Sequence, residues 1–433
     1  MPLPRNALIC AAIDIGTTYS GYAFSSIDDY KKEPTKINTN VLPGSRLLSL
    51  KIPTAVLLDG SQEFVAFGYE AENTYSELVA DGEHDNYYYF HRFKMLLYER
   101  RITRDIKIKD ETGKKMDALI VFQFAIQYLK DHLYKSLSDK YKGIQEHDLH
   151  YVLTVPAIWD DSAKQFMREA ATNAGIRSEQ LSIALEPEAA SIYFQHLKTD
   201  RQDGNENNLF ATTIKPGMKY MIVDLGGGTA DITVHQKFAD GTLKEVVPAS
   251  GGPWGGTSVD EAFLCFLKRI FGANVIEELK KTELEDFIDL FREFETKKRS
   301  IHVDRTIKVV VTLPVALIEL VKSHRGKMET ALEQSPYGQA VSYSKRKLHI
   351  SPDTFRELFK STIDALIKHM ERMFRDDKLS DLKNLLLVGG FSDCELIRHK
   401  IKEKFGKDKK IIIPEEAGLS VLRGAVLYGY EFA

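Results

Sequence analysis

One pattern in this chain occurs twice, and it limits the folds available more than any other feature. Residues 9–18 read ICAAIDIGTT and residues 219–229 read KYMIVDLGGGT. Each is an apolar run that ends in an aspartate, Asp14 or Asp224, and breaks into a Gly/Thr turn before a second apolar run returns. Apolar residues on both sides of such a break predict a hairpin. Its tip holds Gly16, Thr17 and Thr18 in the first copy and Gly226, Gly227, Gly228 and Thr229 in the second. An internal repeat of this kind implies two similar halves, and two halves carrying matching turns imply a cleft between them.

The chemistry of these turns points to an anion. Glycine lets a backbone pass close to a phosphate and aim its N–H groups at it. The threonines add hydroxyls. A carboxylate ending a buried strand is costly unless it is paired or near a cation. Two of them facing one cleft suggest a hydrated magnesium ion held between the halves; the alternative is that each aspartate caps its own turn. A third pair, Gly389 and Gly390, follows the apolar run NLLLV and precedes a helical pattern. Helix starts favour anions and a small residue lets a flat ring approach, although alone this is an ordinary strand-to-helix turn.

With 433 residues the chain exceeds a single core, and two to four units are expected. Its 59 basic against 62 acidic residues argue against a general nucleic-acid binder. The three cysteines, Cys10, Cys265 and Cys394, match no metal-ligand spacing; Cys10 and Cys394 sit in apolar stretches and read as small buried hydrophobes, and the low count fits a reducing compartment. The apolar start, residues 7–13, is too short for a membrane span or a processed leader, so a cytoplasmic protein is expected.

Between the motifs, residues 28–38 read as a polar connection and residues 87–101 as a helix-like mixture of aromatic and basic residues. Residues 118–137 carry apolar positions at helical spacing. LHYVLTVP reads as a strand ending at Pro156, followed by a helix capped by Asp160, Asp161 or Ser162 and closed by Gly175. Residues 199–217 read as a mobile surface loop, and residues 257–299 as helical. A long helix is expected after Ser351 as cap with Pro352 in its first turn.

Six segments in order carry a family resemblance: AAIDIGTTYSGYAF, LTVPAIWDDSAKQFMREAATNAGI, IALEPEAASIYF, VDLGGGTADITV, LLVGGFSD and IIIPEEAGLSVLRGAVLYG. They resemble the nucleotide-binding domain of the 70-kDa heat-shock proteins, in particular their divergent twelve-type branch, over nearly the whole chain. The resemblance implies an α/β, two-lobed actin-like (ribonuclease H-like) ATPase fold, with duplicated mixed sheets flanked by helices and a nucleotide cleft between the lobes. Implied lobe I covers residues 1–210 with a small subdomain at about 45–115, and lobe II covers 211–410 with a helical subdomain at about 257–345. Residues 411–433 would be a last strand and helix packing back on lobe I, with no substrate-binding domain following.

The resemblance also implies roles. Gly16, Thr17, Thr18 and Tyr19 would form the first phosphate loop, and Gly226, Gly227, Gly228 and Thr229 the second, closed by Asp231. Asp14 and Asp224 would hold Mg2+ mainly through water, with potassium as a further candidate ion. Lys94, in HRFKMLLY, would orient the attacking water with Glu186, and Asp224 and Thr229 would share the catalytic centre. ATP or ADP would be held by Gly255, Gly256, Glu295, Lys298, Arg299, His302, Gly389, Gly390, Ser392 and Glu415. On its own, FETKKRSIH reads as a solvated helix face. Pro156 falls at a position linked to lobe switching, or simply ends its strand. Two positions depart from the ordinary chaperones: His302 replaces a small hydroxyl residue, and Asp393 stands near an arginine position.

The expectation is thus a slow ATPase module of chaperone type, a monomer with unidentified protein clients or exchange factors. The rival reading is a nucleotide-gated binding or scaffold protein with negligible hydrolysis. A sugar kinase lacks its catalytic aspartate signature here, and nothing in the sequence demands a filament former.

Overall fold

The computed structural model describes residues 7–39, 42, 50–99, 102–103, 105–199, 207–208, 214–239 and 242–432. Both copies of the repeat form the hairpins expected of them. Ile9–Asp14 pairs antiparallel with Tyr19–Ser26 and parallel with Leu149–Val155, which pairs in turn with Leu181–Leu185. Lys219–Leu225 likewise pairs antiparallel with Ala230–Lys237 and parallel with Asn384–Val388. Each sheet therefore has an antiparallel hairpin on one side of its first strand and a parallel crossover on the other. The fold is two-lobed and actin-like, with each aspartate at the end of its sheet's buried first strand.

Helices cover both faces of each sheet, as parallel strands require. On one face of the first sheet lie Ala118–Lys140, apolar at helical spacing, and Asp161–Asn173, whose cap Asp160 accepts from the Ala163 N–H at 2.9 Å. On the other lie Glu186–His196 and Ser420–Glu431. These two helices join the lobes. Ala189, Phe194, Leu422 and Val426 form one apolar cluster with Cys10 and Val152 of the first sheet and Ile222 and Leu386 of the second. They cross so closely that a β-carbon on Gly424 would stand 1.7 Å from the Ala189 carbonyl oxygen. The outer core of the second sheet is built on Gly256–Phe271 and Pro352–Met373. The latter starts where expected, with Ser351 Oγ accepting from the Thr354 N–H at 3.2 Å.

A second bridge spans the mouth of the cleft. Tyr75, on the helix Tyr69–Ala80, stacks at 4.3 Å on Tyr89 of the small sheet of the first lobe, and both share an apolar cluster with Leu284 and Phe287 of the helix Leu284–Arg299. Arg292 reaches Glu72 at 3.1 Å, and Lys280 reaches Glu111 at 2.7 Å.

Several local expectations change. Residues 87–101 open with a strand, Tyr88–His91, before a 3-10 turn and the short helix Leu96–Glu99. Pairing with Ala55–Leu58 overrides the helix-like pattern, because it buries Tyr89 and Phe90 on opposite faces of the small sheet. The polar connection after Ser26 contains a helix, Ile27–Lys32, capped by the Ser26 hydroxyl. In the stretch 199–217, Lys198–Thr199 pairs with Asn207–Asn208, while residues 200–206 and 209–213 of that expected loop lie outside the described residues. Within 257–345 the apolar run IKVVVTLP reads as a strand and forms one, Val309–Thr312; what changes is that Val341–Ser344 and Lys347–Ile350 join it in a three-stranded sheet. The last strand, Lys410–Ile412, extends the second sheet, so only the final helix packs back on the first. No helix among the described residues is long and apolar enough to cross a membrane.

Candidate functional site

Between the lobes lies a cavity of about 540 Å³ with both hairpin tips in its wall. The tips face each other across the molecule. A β-carbon on Gly227 would meet Thr18 Oγ1 at 2.2 Å, and one on Gly228 would meet Met95 Sδ at 2.4 Å and Thr17 Oγ1 at 2.7 Å. Only glycine lets the second turn lie this close to the first. Gly255 supports that turn from behind, its N–H donating to the Gly228 carbonyl at 3.1 Å, and Gly256 and Thr257 continue the contact to Gly226 and Gly227.

Beneath the tips sits a buried group of opposite charges. Lys94, 5% exposed, bonds Glu186 Oε1 at 2.7 Å and lies 5.3 Å from the Trp159 ring centroid. Burial alone would lower the lysine pKa, but the Glu186 and Asp14 carboxylates outweigh it and hold it above the ordinary value. Asp14 accepts from Lys51 Nζ at 2.7 Å and Thr154 Oγ1 at 2.9 Å. Burial opposes its ionisation, yet Lys51 and Lys94 bring its pKa below the usual range. The repeat partner is different. Asp224 Oδ2 is buried with no hydrogen-bond partner, and burial together with Glu186 and Asp14 pushes this carboxyl up to about 8. Asp231 Oδ1 is likewise buried and unpartnered, and burial raises that group well above its ordinary value. Unpartnered buried carboxylates beside a cavity fit a cation better than a second hydrogen bond. Among the described residues no group of three or more His, Cys, Asp or Glu side chains could hold a metal ion alone, so a bound cation would have to keep waters.

The other end of the cavity is built by the helix Leu284–Arg299 and the turns at 389–394 and 416–419. Lys298 Nζ contacts Asp260 at 2.6 Å, Glu295 at 2.5 Å and the Gly256 carbonyl at 3.2 Å. Arg299 pairs with Glu295 at 2.7 Å and lies 4.8 Å over the Tyr19 ring, a contact between the lobes. Of the residues expected from sequence, Asp14, Gly16, Thr17, Thr18, Tyr19, Lys94, Glu186, Asp224, Gly226, Gly227, Gly228, Thr229, Gly256, Glu295, Lys298, Arg299, Gly389 and Gly390 line the cavity.

Four expected residues do not. Gly255 supports from behind. Ser392 is fully buried, its hydroxyl donating to the Gly389 carbonyl at 2.6 Å. His302 faces out and pairs with Glu395 at 2.6 Å. Glu415 does not line the cavity; its neighbour Glu416, also exposed and with a left-handed backbone at φ 52°, does, and it pairs with Arg423 at 2.6 Å. Sequence reading also missed Lys51, Met95 and Trp159. Trp159, three residues past the strand-ending Pro156, was the one with a visible signal.

An Hsp70 protein family model matches residues 92–430. This chain belongs to the Hsp70 family. Heat shock 70 kDa protein 12A of Homo sapiens is 38% identical over 99% of this chain and 70% of its own length. Heat shock 70 kDa protein 12B of Homo sapiens is 34% identical, over 99% and 69%. A more distant Hsp70 relative, Chaperone protein DnaK of Thermotoga maritima, is 26% identical over 78% of this chain and 51% of its own length. The two-lobed body described above is thus an Hsp70-family nucleotide-binding domain.

Proposed function

We propose that this chain binds ATP, hydrolyses it slowly and closes its lobes on the magnesium-bound nucleotide. The observation that carries the reading is the pair of glycine turns from opposite sheets, set face to face over the buried Lys94–Glu186 pair. The turns Gly16–Thr17–Thr18 and Gly226–Gly227–Gly228–Thr229 offer N–H groups and hydroxyls to phosphate oxygens. Lys94 and Glu186 position the attacking water, and Lys94 meets the terminal phosphate with its charge. Asp14 and Asp224 hold the hydrated magnesium ion, for which the unpartnered Asp224 Oδ2 has room in its bonding. When bound, that ion supplies neutralisation of phosphate charge. Glu295, Lys298, Arg299, Gly389 and Gly390 enclose the nucleoside. A chaperone role extends the same reading and is supported by the likeness to Chaperone protein DnaK; protein clients, exchange factors and a cytoplasmic location belong to that proposal.

Single-turnover hydrolysis with magnesium-ATP tests it. Lys94→Ala should lower turnover by roughly 100-fold, in the range of a lost proton-transfer or positioning group, while ADP affinity changes by less than about threefold. Undiminished turnover in that variant would remove Lys94 from the mechanism. A second reading has one observation in its favour: Lys94 and Glu186 neutralise each other at 2.7 Å and leave neither free to act on water. On that reading the protein is a nucleotide-gated scaffold, and the wild type forms no ADP in the same assay.

A further inference from the structure

Two lysines stand among the carboxylates at the phosphate end of the cavity, and only Lys94 has a role in the hydrolysis proposed above. Lys94 is paired with Glu186 at 2.7 Å. The other, Lys51, lines the cavity and places Nζ 2.7 Å from Asp14 Oδ2, while Thr154 donates to Oδ1. The remaining cations in the cavity wall, Lys298 and Arg299, both pair with Glu295 at the nucleoside end. Each lysine at the phosphate end therefore cancels one carboxylate. Asp224, whose buried Oδ2 has no hydrogen-bond partner, is left without a cation among the described residues.

The fold builds the position of Lys51. The next two residues, Ile52–Pro53, pair with Tyr19 and Ser20. The Thr54 N–H donates to the Thr18 carbonyl at 2.9 Å, and Thr54 Oγ1 donates to the Gly16 carbonyl at 2.7 Å. This short strand is thus stitched to the first glycine turn. Gly21 stands opposite Asp14 in the hairpin, and a β-carbon there would come 3.0 Å from Lys51 Cγ and 2.9 Å from the Leu50 carbonyl oxygen. Glycine at that register lets the lysine stem cross the returning strand and set its ammonium on Asp14.

Carboxylates in a phosphate site repel the incoming ligand until a cation neutralises them. An ammonium that belongs to the chain and is already seated does so without being recruited from solution. We propose that Lys51 is a resident counterion for the nucleotide phosphates, so that this chain binds ADP with little dependence on magnesium. Lys51 neutralises Asp14 before the ligand arrives, and Asp224 carries the larger share of the hydrated ion that serves hydrolysis. The inference rests on the nucleotide-binding reading above and concerns only how the same phosphates are neutralised.

Calorimetric titration of ADP into the full chain, once with magnesium chloride and once with EDTA, measures it. In the wild type the two affinities should lie within about tenfold of each other. Lys51→Gln keeps a donor for Asp14 but loses the charge. It should widen the ratio by about 10- to 100-fold, the scale of one charge-assisted hydrogen bond, with most of the loss in EDTA. Lys51→Arg keeps the charge and should hold the ratio within about threefold of wild type. A wider wild-type ratio, a Lys51→Gln ratio equal to wild type, or a Lys51→Arg ratio as wide as that of Lys51→Gln overturns this inference and leaves nucleotide binding standing. If Lys51→Gln does not fold, the wild-type ratio and Lys51→Arg decide the matter. Failure of ADP to bind the wild type under either condition overturns both readings.

Discussion

Replacing Asp224 with asparagine should make the ligand-free protein more stable and the magnesium-nucleotide complex less so. In the free protein, burial first and then the neighbouring carboxylates Glu186 and Asp14 push the Asp224 carboxyl from its ordinary 3.8 to about 8. A carboxyl raised in this way contributes its stability when protonated. That contribution is complete below the unfolded value and is lost as pH rises toward the folded one. The wild type therefore loses stability across roughly pH 4 to 8, by about 4 kcal/mol at pH 7 at 1.36 kcal/mol per pKa unit. Asparagine has the same shape and takes no proton, so it escapes this loss. The gain from Asp224→Asn should be near zero at pH 4, grow with pH and level off above pH 8. Urea unfolding of both proteins in a chelator, at steps between pH 4.5 and 8.5, measures it. Adding magnesium and ADP should erase or reverse the gain, because the cation stabilises the charged carboxylate that asparagine lacks. A stability difference that does not change with pH, or a variant less stable than wild type without ligand, would refute the account of a strained acidic site.

Two further variants probe the frame around the site. Gly424→Ala puts a β-carbon onto the Ala189 carbonyl where the joining helices cross and should cost about 1–3 kcal/mol, lowering the thermal midpoint by several degrees. Ser351→Ala removes the cap of Pro352–Met373 and should cost about 1 kcal/mol in urea unfolding while leaving nucleotide affinity unchanged.

The frame was legible because its signals are local and repeated. Two apolar runs ending in Asp14 and Asp224, each followed by a glycine turn, specify hairpins wherever they fall in a chain. Ser351 followed by Pro352 marks a helix start without knowledge of anything distant. What the sequence hid depends on contacts far along the chain. Lys51 is an ordinary lysine until the fold sets it beside Asp14, 37 positions away. The strand Tyr88–His91 looked helical because its aromatic residues serve two separate cores, one on each face. Of the adjacent pair Glu415 and Glu416 it is Glu416 that lines the cavity, and nothing local in the sequence separates the two. His302 was expected at the nucleoside until Glu395, from a helix 93 positions on, drew it outward.

The bridge over the cleft mouth has a thermal consequence. Parting the lobes there must wet the stacked Tyr75 and Tyr89 rings together with Leu284 and Phe287. Exposing such surface raises heat capacity, and its unfavourable free energy is mostly entropic near room temperature. Mild warming should thus tighten this clasp, and cooling should loosen it.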